Sequence, residues 1–267
     1  MPKRLAIKLF AALMALVALQ GCDRQAPPQA DTSETHTTVG KLTSKRVTFE
    51  RQAQDCTPDE ECSSVSVTRE LIERQPALNK AVLNQLLLQL QSDGESHSAT
   101  QSLEEIAAEF LTEAAEVERV SSAHWQLNGD AERLARRGDL LTMEIKTYRY
   151  TGGAHGIPVV EWFNWDLSAE KRVSLPQVLR EGTEPKFWEL AEAAHRRWQD
   201  EQTGIDDAYR ETWQFQRSED FRFNDDGIVL LYGVYVLGPY ALGPVQLTVP
   251  WPELQTVVRE QYLPHSQ

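Results

Sequence analysis

The residues best placed to do chemistry lie between Tyr148 and Asp166, in the run Tyr-Arg-Tyr-Thr-Gly-Gly-Ala-His-Gly-Ile-Pro-Val-Val-Glu-Trp-Phe-Asn-Trp-Asp. His155 sits in a glycine-rich turn with Glu161 and Asp166 downstream, and an imidazole beside a carboxylate is equipment for general acid–base catalysis. A carboxylate pair is also what glycoside hydrolysis uses, provided the two groups converge on one bond. With 40 acidic residues in the chain, proximity in sequence cannot establish that convergence. The alternative for His155 is a turn residue that bonds its own loop backbone. Gly-x-Ser-x-Gly, Gly-x-x-x-x-Gly-Lys and His-Glu-x-x-His are all absent, which counts against a hydrolase elbow, a phosphate cradle and a helical zinc site. No catalytic residue, cofactor or metal site is assigned, and a cell-wall glycan-processing enzyme using His155 with Glu161 or Asp166 is the second reading.

The cysteines carry a different chemistry. Lys3, Arg4 and Lys8 precede an uncharged apolar run, Leu9 to Leu19, too short to span a bilayer and ending in Leu19-Gln20-Gly21-Cys22. This has the form of a lipoprotein signal peptide, residues 1–21, whose removal leaves Cys22 as the acylated first residue. The expected address is the cell envelope, lipid-anchored and facing the periplasm, with inner versus outer membrane left open. Cys56 and Cys62 then form an even pair in an exported chain, and their spacing suggests a disulfide. Neither has a further Cys or His close by, as a metal site would want.

Charge narrows the partners. The chain carries a formal net charge of −13; without Met1 to Gly21 it keeps 24 basic against 40 acidic residues, a net −16. Such a surface repels phosphate backbones and attracts cationic partners, so nucleic acid is not expected as a ligand.

The elements that must position these residues follow from periodicity. Residues 22–44 are polar, with Pro27, Pro28 and a Ser/Thr-rich run, and read as a flexible tether. Val47–Arg51 and Val65–Arg69 read as strands joined by the cysteine-bearing connection. Ala77–Gln91 and Leu103–Val117 carry apolar stripes at helical spacing, the second opened by a Ser102/Glu105 capping box, with a polar loop at Ser92–Thr100 between them. Val117–Leu127 and Leu140–Tyr150 read as strands, with turns at Asn128-Gly129 and Gly138-Asp139. Leu141, Met143 and Ile145 alternate with polar residues, and Val159, Phe163 and Trp165 share a face of the next run, so Tyr148–Asp166 is a β-hairpin with a shaped tip.

Ser174–Arg180 reads as a short helix, and Phe187 to Trp198 as the stripe of a longer one on which His195 is a core residue. Phe221–Phe223 and Ile228–Tyr232 flank a turn, and Val234–Leu237 and Val245–Val249 read as strands around Gly238-Pro-Tyr-Ala-Leu-Gly-Pro244. Trp251–Tyr262 reads as a closing helix. The expected fold class is α+β, an antiparallel β-sheet packed with amphipathic helices. The expected organisation is an N-terminal α+β region at 45–138 and a C-terminal domain at 139–267.

Tyr150-Thr-Gly-Gly-Ala-His-Gly156, Phe163-Asn-Trp-Asp-Leu167, Val173-Ser-Leu-Pro176, Gly238-Pro-Tyr-Ala-Leu-Gly-Pro244 and Val249-Pro-Trp251 occur in the order seen in one family. Over about Leu140 to Tyr262 the chain resembles the extracellular domain of RsiV-type anti-sigma factors, a lysozyme receptor domain also found in envelope proteins of unknown function. Its N-terminal region, around Asn84, more weakly resembles the companion region found in some peptidoglycan deacetylases. The resemblance implies an RsiV-like C-terminal domain that binds a protein, lysozyme in the receptor branch, or a peptidoglycan-related ligand. It points to Gly152, Gly153, Ala154, His155, Gly156, Pro239 and Tyr240 as a binding surface. A lipid anchor stands here in place of the receptor's transmembrane helix and sigma-binding segment, so signalling to a sigma factor is not implied.

Overall fold

A computed structural model describes residues 42–264 except 55, 58–60 and 92–98. Cys22, the signal peptide, nearly all of the tether and most of the Ser92–Thr100 loop lie outside the described residues. The described residues belong to one compact unit.

Six strands make the larger sheet, in sequence order from edge to edge. β1 (Ser44–Gln52) and β2 (Ser64–Ile72) pair antiparallel, and the connection between them is closed by the Cys56–Cys62 disulfide. The chain then leaves the sheet through α1 (Pro76–Gln91) and α2 (Leu103–Glu118) and returns as β3 (Gln126–Arg137), parallel to β2. The sheet is antiparallel, as expected, except at this one pair, where a helical crossover brings the chain back in the same direction. β4 (Leu140–Tyr150), β5 (Ile157–Asp166) and the short β6 (Lys171–Arg172) complete the sheet antiparallel. β3 and β4 pair along their whole length, so the sheet runs across the 138/139 position where a domain boundary was expected.

The period-two pattern is what puts α1 and α2 on one face. Val65, Val67, Leu127, Leu141, Met143, Ile145, Phe163 and Trp165 project from that face and pack with Leu78, Leu86, Leu90, Ile106 and Phe110. The Ser102/Glu105 capping box opens α2 as expected. Asn128-Gly129 is not a turn but the middle of β3: a Cβ on Gly129 would come 3.2 Å from Leu86 Cδ1, so the glycine lets α1 lie close on the sheet. Strand structure begins only at Gln126, and the expected strand from Val117 is instead the end of α2 followed by irregular chain.

A second core lies on the far side. After α3 (Leu175–Val178), α4 (Glu184–Glu201) and α5 (Asp207–Thr212), the strands β7 (Phe221–Phe223), β8 (Gly227–Tyr232) and β9 (Val245–Pro250) form a three-stranded antiparallel sheet. Its Phe221, Ile228, Leu230, Leu247 and Val249 pack with Phe187, Trp188 and Ala191 of α4. Val229 and Leu231, on the opposite face of β8, pack on Trp162 and Val160 of β5. The order of layers is therefore helices, six-stranded sheet, three-stranded sheet, helix. His195 of α4 is 3% exposed, stacked on Trp198 and tilted against Phe215, and burial holds its imidazole pKa down.

Two further expectations change. Val234–Leu237 is a turn and not a strand, with Tyr235 at φ 66 and the Val236 N–H donating to Gly233 O. The closing helix is one turn, α6 (Trp251–Leu254); the chain then pairs Val258 with Leu179 and ends in a 3-10 turn at Glu260–Tyr262.

The two sheets are joined where β5 has an open edge. β6 pairs only with Trp165 and Asp166. Further along, the Trp162 N–H donates to Asp220 Oδ1 at 2.9 Å and Asn164 Nδ2 donates to Phe221 O at 2.6 Å. Pro158 has no N–H to offer on the remaining edge. Burial raises the Asp220 carboxyl to about 8, while the Trp162 N–H and Arg172 oppose the rise and Glu161 and Glu144 add to it.

Candidate functional site

The tip of the β4–β5 hairpin is shaped by glycines and tied by tyrosines. Gly152 and Gly153 have φ of 98° and 92°, angles that side chains disfavour. Tyr150 Oη donates to Gly153 O at 3.2 Å, and the Gly156 N–H donates to Tyr148 Oη at 3.1 Å. A Cβ on Gly156 would stand 2.5 Å from Tyr148 Cζ and 2.6 Å from the Arg149 carbonyl oxygen, so only glycine fits there.

From the other sheet, the β8–β9 connection brings a second loop against this tip. Tyr209 Oη of α5 donates to Leu237 O at 2.8 Å and fixes its base. Pro239 enters a 3-10 turn at Tyr240–Leu242 that aims Tyr240 at the hairpin. The Tyr240 ring stacks on the His155 imidazole with centroids 3.7 Å apart and planes 14° from parallel. Its hydroxyl donates to Gly156 O at 3.0 Å, the same carbonyl that lies 3.1 Å from His155 Nδ1. Tyr235 adds a third ring, 5.7 Å from Tyr240.

All seven residues expected to form a binding surface thus sit in these two loops. Gly156 is buried as the joint between them, while Ala154, His155 and Pro239 are exposed. Around them, Ile157, Val159, Tyr235, Val236 and Leu242 account for five of the seven large apolar side chains exposed among the described residues. No charged residue occurs between Tyr150 and Val160 or between Gly227 and Pro252. An uncharged, apolar and aromatic surface on an acidic protein is the kind of feature that marks a docking site.

The groups of the catalytic reading are not brought together. β5 is extended at about 3.3 Å per residue, so Glu161 lies about 13 Å and Asp166 about 30 Å along it from Ile157. Glu161 is held by Gln85 Nε2 at 2.6 Å, Gln89 Nε2 at 3.0 Å and Arg172 Nη2 at 2.6 Å. Asp166 closes the β5–β6 turn by accepting from the N–H groups of Ser168 and Ala169. Burial pushes its carboxyl upward, but these bonds, the Ser168 hydroxyl and Lys171 together hold it below the usual range.

A Ser63–Glu118–His124 cluster has the residue types of a catalytic triad but the wrong connectivity. Ser63 Oγ donates to Glu118 Oε1, and the Trp125 N–H donates to Ser63 Oγ at 2.6 Å. The serine is fully buried and bonds the carboxylate that His124 Nδ1 also approaches, not the imidazole, so the cluster ties α2 to the chain entering β2 and β3.

Sequence reasoning missed Tyr148, Tyr150, Tyr209 and Tyr235. The density of tyrosine at the strand ends was the available signal. Asp220 gave no signal, since Arg217-Ser-Glu-Asp220 reads as an exposed polar loop.

The architecture is that of a two-sheet α+β domain displaying a surface built from one loop of each sheet. Residues 177–252 match the family described as Protein of unknown function (DUF3298), a stretch that includes Pro239 and Tyr240 but not the Thr151–Gly156 tip. A DUF3298 family protein of Pseudomonas aeruginosa PAO1 is similar over 85% of this chain and 99% of its own, with a TM-score of 0.70 and 26% identity. A DUF3298 family member from Bacteroides fragilis NCTC 9343 shares the fold at a TM-score of 0.61 and 19% identity, over 82% of this chain and 94% of its own. The peptidoglycan-N-acetylmuramic acid deacetylase PdaC of Bacillus subtilis (strain 168) is 26% identical over 141 residues, 52% of this chain and 30% of that protein. The chain therefore spans less than a third of that relative's length.

Proposed function

We propose that this chain is a non-catalytic binding module of the bacterial cell envelope, anchored through an acylated Cys22, whose two-loop surface engages a protein. The observation that carries the reading is the His155–Tyr240 stack, where loops from two different sheets lock into one exposed, uncharged, aromatic surface. A rigid scaffold presenting shaped loops is how binding sites are commonly built. The partner we favour is a cationic wall-associated protein. Lysozyme is the instance supplied by the resemblance, and a net charge of −16 without the signal peptide would steer it toward the domain. The envelope address is supported by the signal-peptide pattern and by a relative named for acting on peptidoglycan.

Calorimetric titration of the full chain, in detergent, with hen lysozyme at low and physiological salt tests this reading. Submicromolar binding that persists in salt and is lost in His155→Ala and Tyr240→Ala supports it. Binding abolished by salt and unchanged in both variants would be charge attraction alone and would overturn it.

A further inference from the structure

The face of the six-stranded sheet opposite α1 and α2 is covered along β5, where Val160 and Trp162 meet β8, and at the β3–β4 turn, where Leu140 joins the second core and Arg137 lies over Phe223 and Trp251. Over the rest of this face the side chains of β1 to β4 stand in register rows, open except where the hairpin tip lies on Tyr148 and Tyr150. One row is Thr48, Thr68, Asp130 and Lys146; next along come Glu50, Ser66, Asn128 and Tyr148, then Gln52, Ser64, Gln126 and Tyr150. Toward the far end the charges satisfy one another: Arg46 bonds Asp130 and Glu132, and Lys146 bonds Glu132 and Glu144.

The last two rows are different. Gln52, Ser64, Ser66, Gln126 and Asn128 make no side-chain hydrogen bond among the described residues, leaving a field of amides and hydroxyls turned outward. Two cavities open beside it and share Gln52. One, of about 440 Å³, is lined by Gln126, Tyr150, His124 and Glu61; the other, of about 390 Å³, by Glu50, Ser64 and Ser66. Both volumes lie in the range of small-ligand sites. From β1 to β4 the field spans three strand spacings, about 14 Å, room for a few linked sugar rings.

From this arrangement we infer that the field is a second binding site, for an amino-sugar glycan strand carrying free amines. Outward amides and hydroxyls match a ligand made of hydroxyls on rings. Charge settles which glycan. Glu50 and Glu61 line the two cavities with Arg51 as the only strong base, and the chain as a whole is acidic. Anionic polymers are repelled, N-acetylated sugars offer the carboxylates only neutral amide and hydroxyl donors, and free amines gain from both charge and hydrogen bonding. The inference stands apart from the loop surface and does not require it to bind.

The test is titration of the full chain with a glucosamine tetramer, its fully N-acetylated counterpart as comparison, at physiological salt. The free-amine tetramer should bind at least about tenfold more tightly than the acetylated one, a difference that Glu61→Gln and Glu50→Gln reduce. Gln52→Ala with Gln126→Ala should weaken it by about tenfold, as two lost hydrogen bonds would. These glutamines are exposed and their removal changes no charge, so an unaltered melting temperature certifies the fold while affinity is read. Equal affinity for both tetramers, no binding of either, or binding indifferent to the glutamine pair would each overturn the proposal, the last because it would be charge attraction alone.

Discussion

The Trp162 amide hydrogen points out of β5 into the carboxyl of Asp220, 2.9 Å away and 58 residues further along the chain. This one bond closes the open edge of the larger sheet with a side chain delivered by the smaller one. The Asp220 carbonyl also accepts from the Leu231 N–H, so the residue belongs to both sheets at once.

Burial first, and then Glu161 and Glu144, raise the Asp220 carboxyl from 3.8 to about 8, against the Trp162 N–H and Arg172. The folded protein therefore holds a proton that the unfolded chain releases, and the associated stability is present in acid and lost as pH rises from about 4 to about 8. The slope contributed is at most about 1.4 kcal/mol per pH unit. Asp220→Asn keeps an oxygen to accept from Trp162 and cannot ionise. Urea melts across pH 5 to 9 should show the variant gaining on the parent as pH rises; parallel curves would exclude the linkage.

Tyr240→Phe should separate the ring from its hydroxyl. Losing the donation to Gly156 O costs about 0.5–1.5 kcal/mol of stability, while the stack on His155 remains. Partner affinity should fall much less in Tyr240→Phe than in Tyr240→Ala, as measured by calorimetry on both.

Gly156→Ala should be costly despite its size. The added methyl would lie 2.6 Å from the Arg149 carbonyl and against Tyr148, so the hairpin tip must shift, at about 1–3 kcal/mol. The denaturant midpoint should drop, and amide exchange at the tip should accelerate.

Replacing Cys56 and Cys62 together by serine should lower stability by about 2 kcal/mol, the chain-entropy value for so short a loop. Cys22→Ala should release the protein from membranes into soluble fractions. Retention of that variant in the membrane pellet would remove the anchor from the proposal.

Much of the scaffold was legible because periodicity is a local signal. The stripes of α1, α2 and α4, the capping box at Ser102 and the alternation of Leu141, Met143 and Ile145 each report a buried face within one segment. The failures share a cause. Asn128-Gly129 spells a turn, yet it lies mid-strand because Leu86, more than forty residues upstream, needs the space a side chain would fill. Val234–Leu237 is apolar enough for a strand, but Tyr235 takes a left-handed angle and bends the chain toward the hairpin. The residues of the loop surface could be named from motifs. That His155 and Tyr240 stack could not, because two separate sheets must first assemble to bring them together.

The parallel pairing of β2 with β3 orders events in time. Every other neighbour in the larger sheet is reached by a short connection, but β3 docks on β2 only after the stretch between Ile72 and Gln126 has been laid down and its helices gathered. Closing a loop of that length slows assembly far more than it weakens the product. If the chain is exported N-terminus first, as proposed, the β1–β2 ribbon emerges with its inner edge bare and waits. The cysteine staple at its tip keeps that ribbon in register through the interval, so its value would show in folding yield during export more than in the melting point of the finished protein.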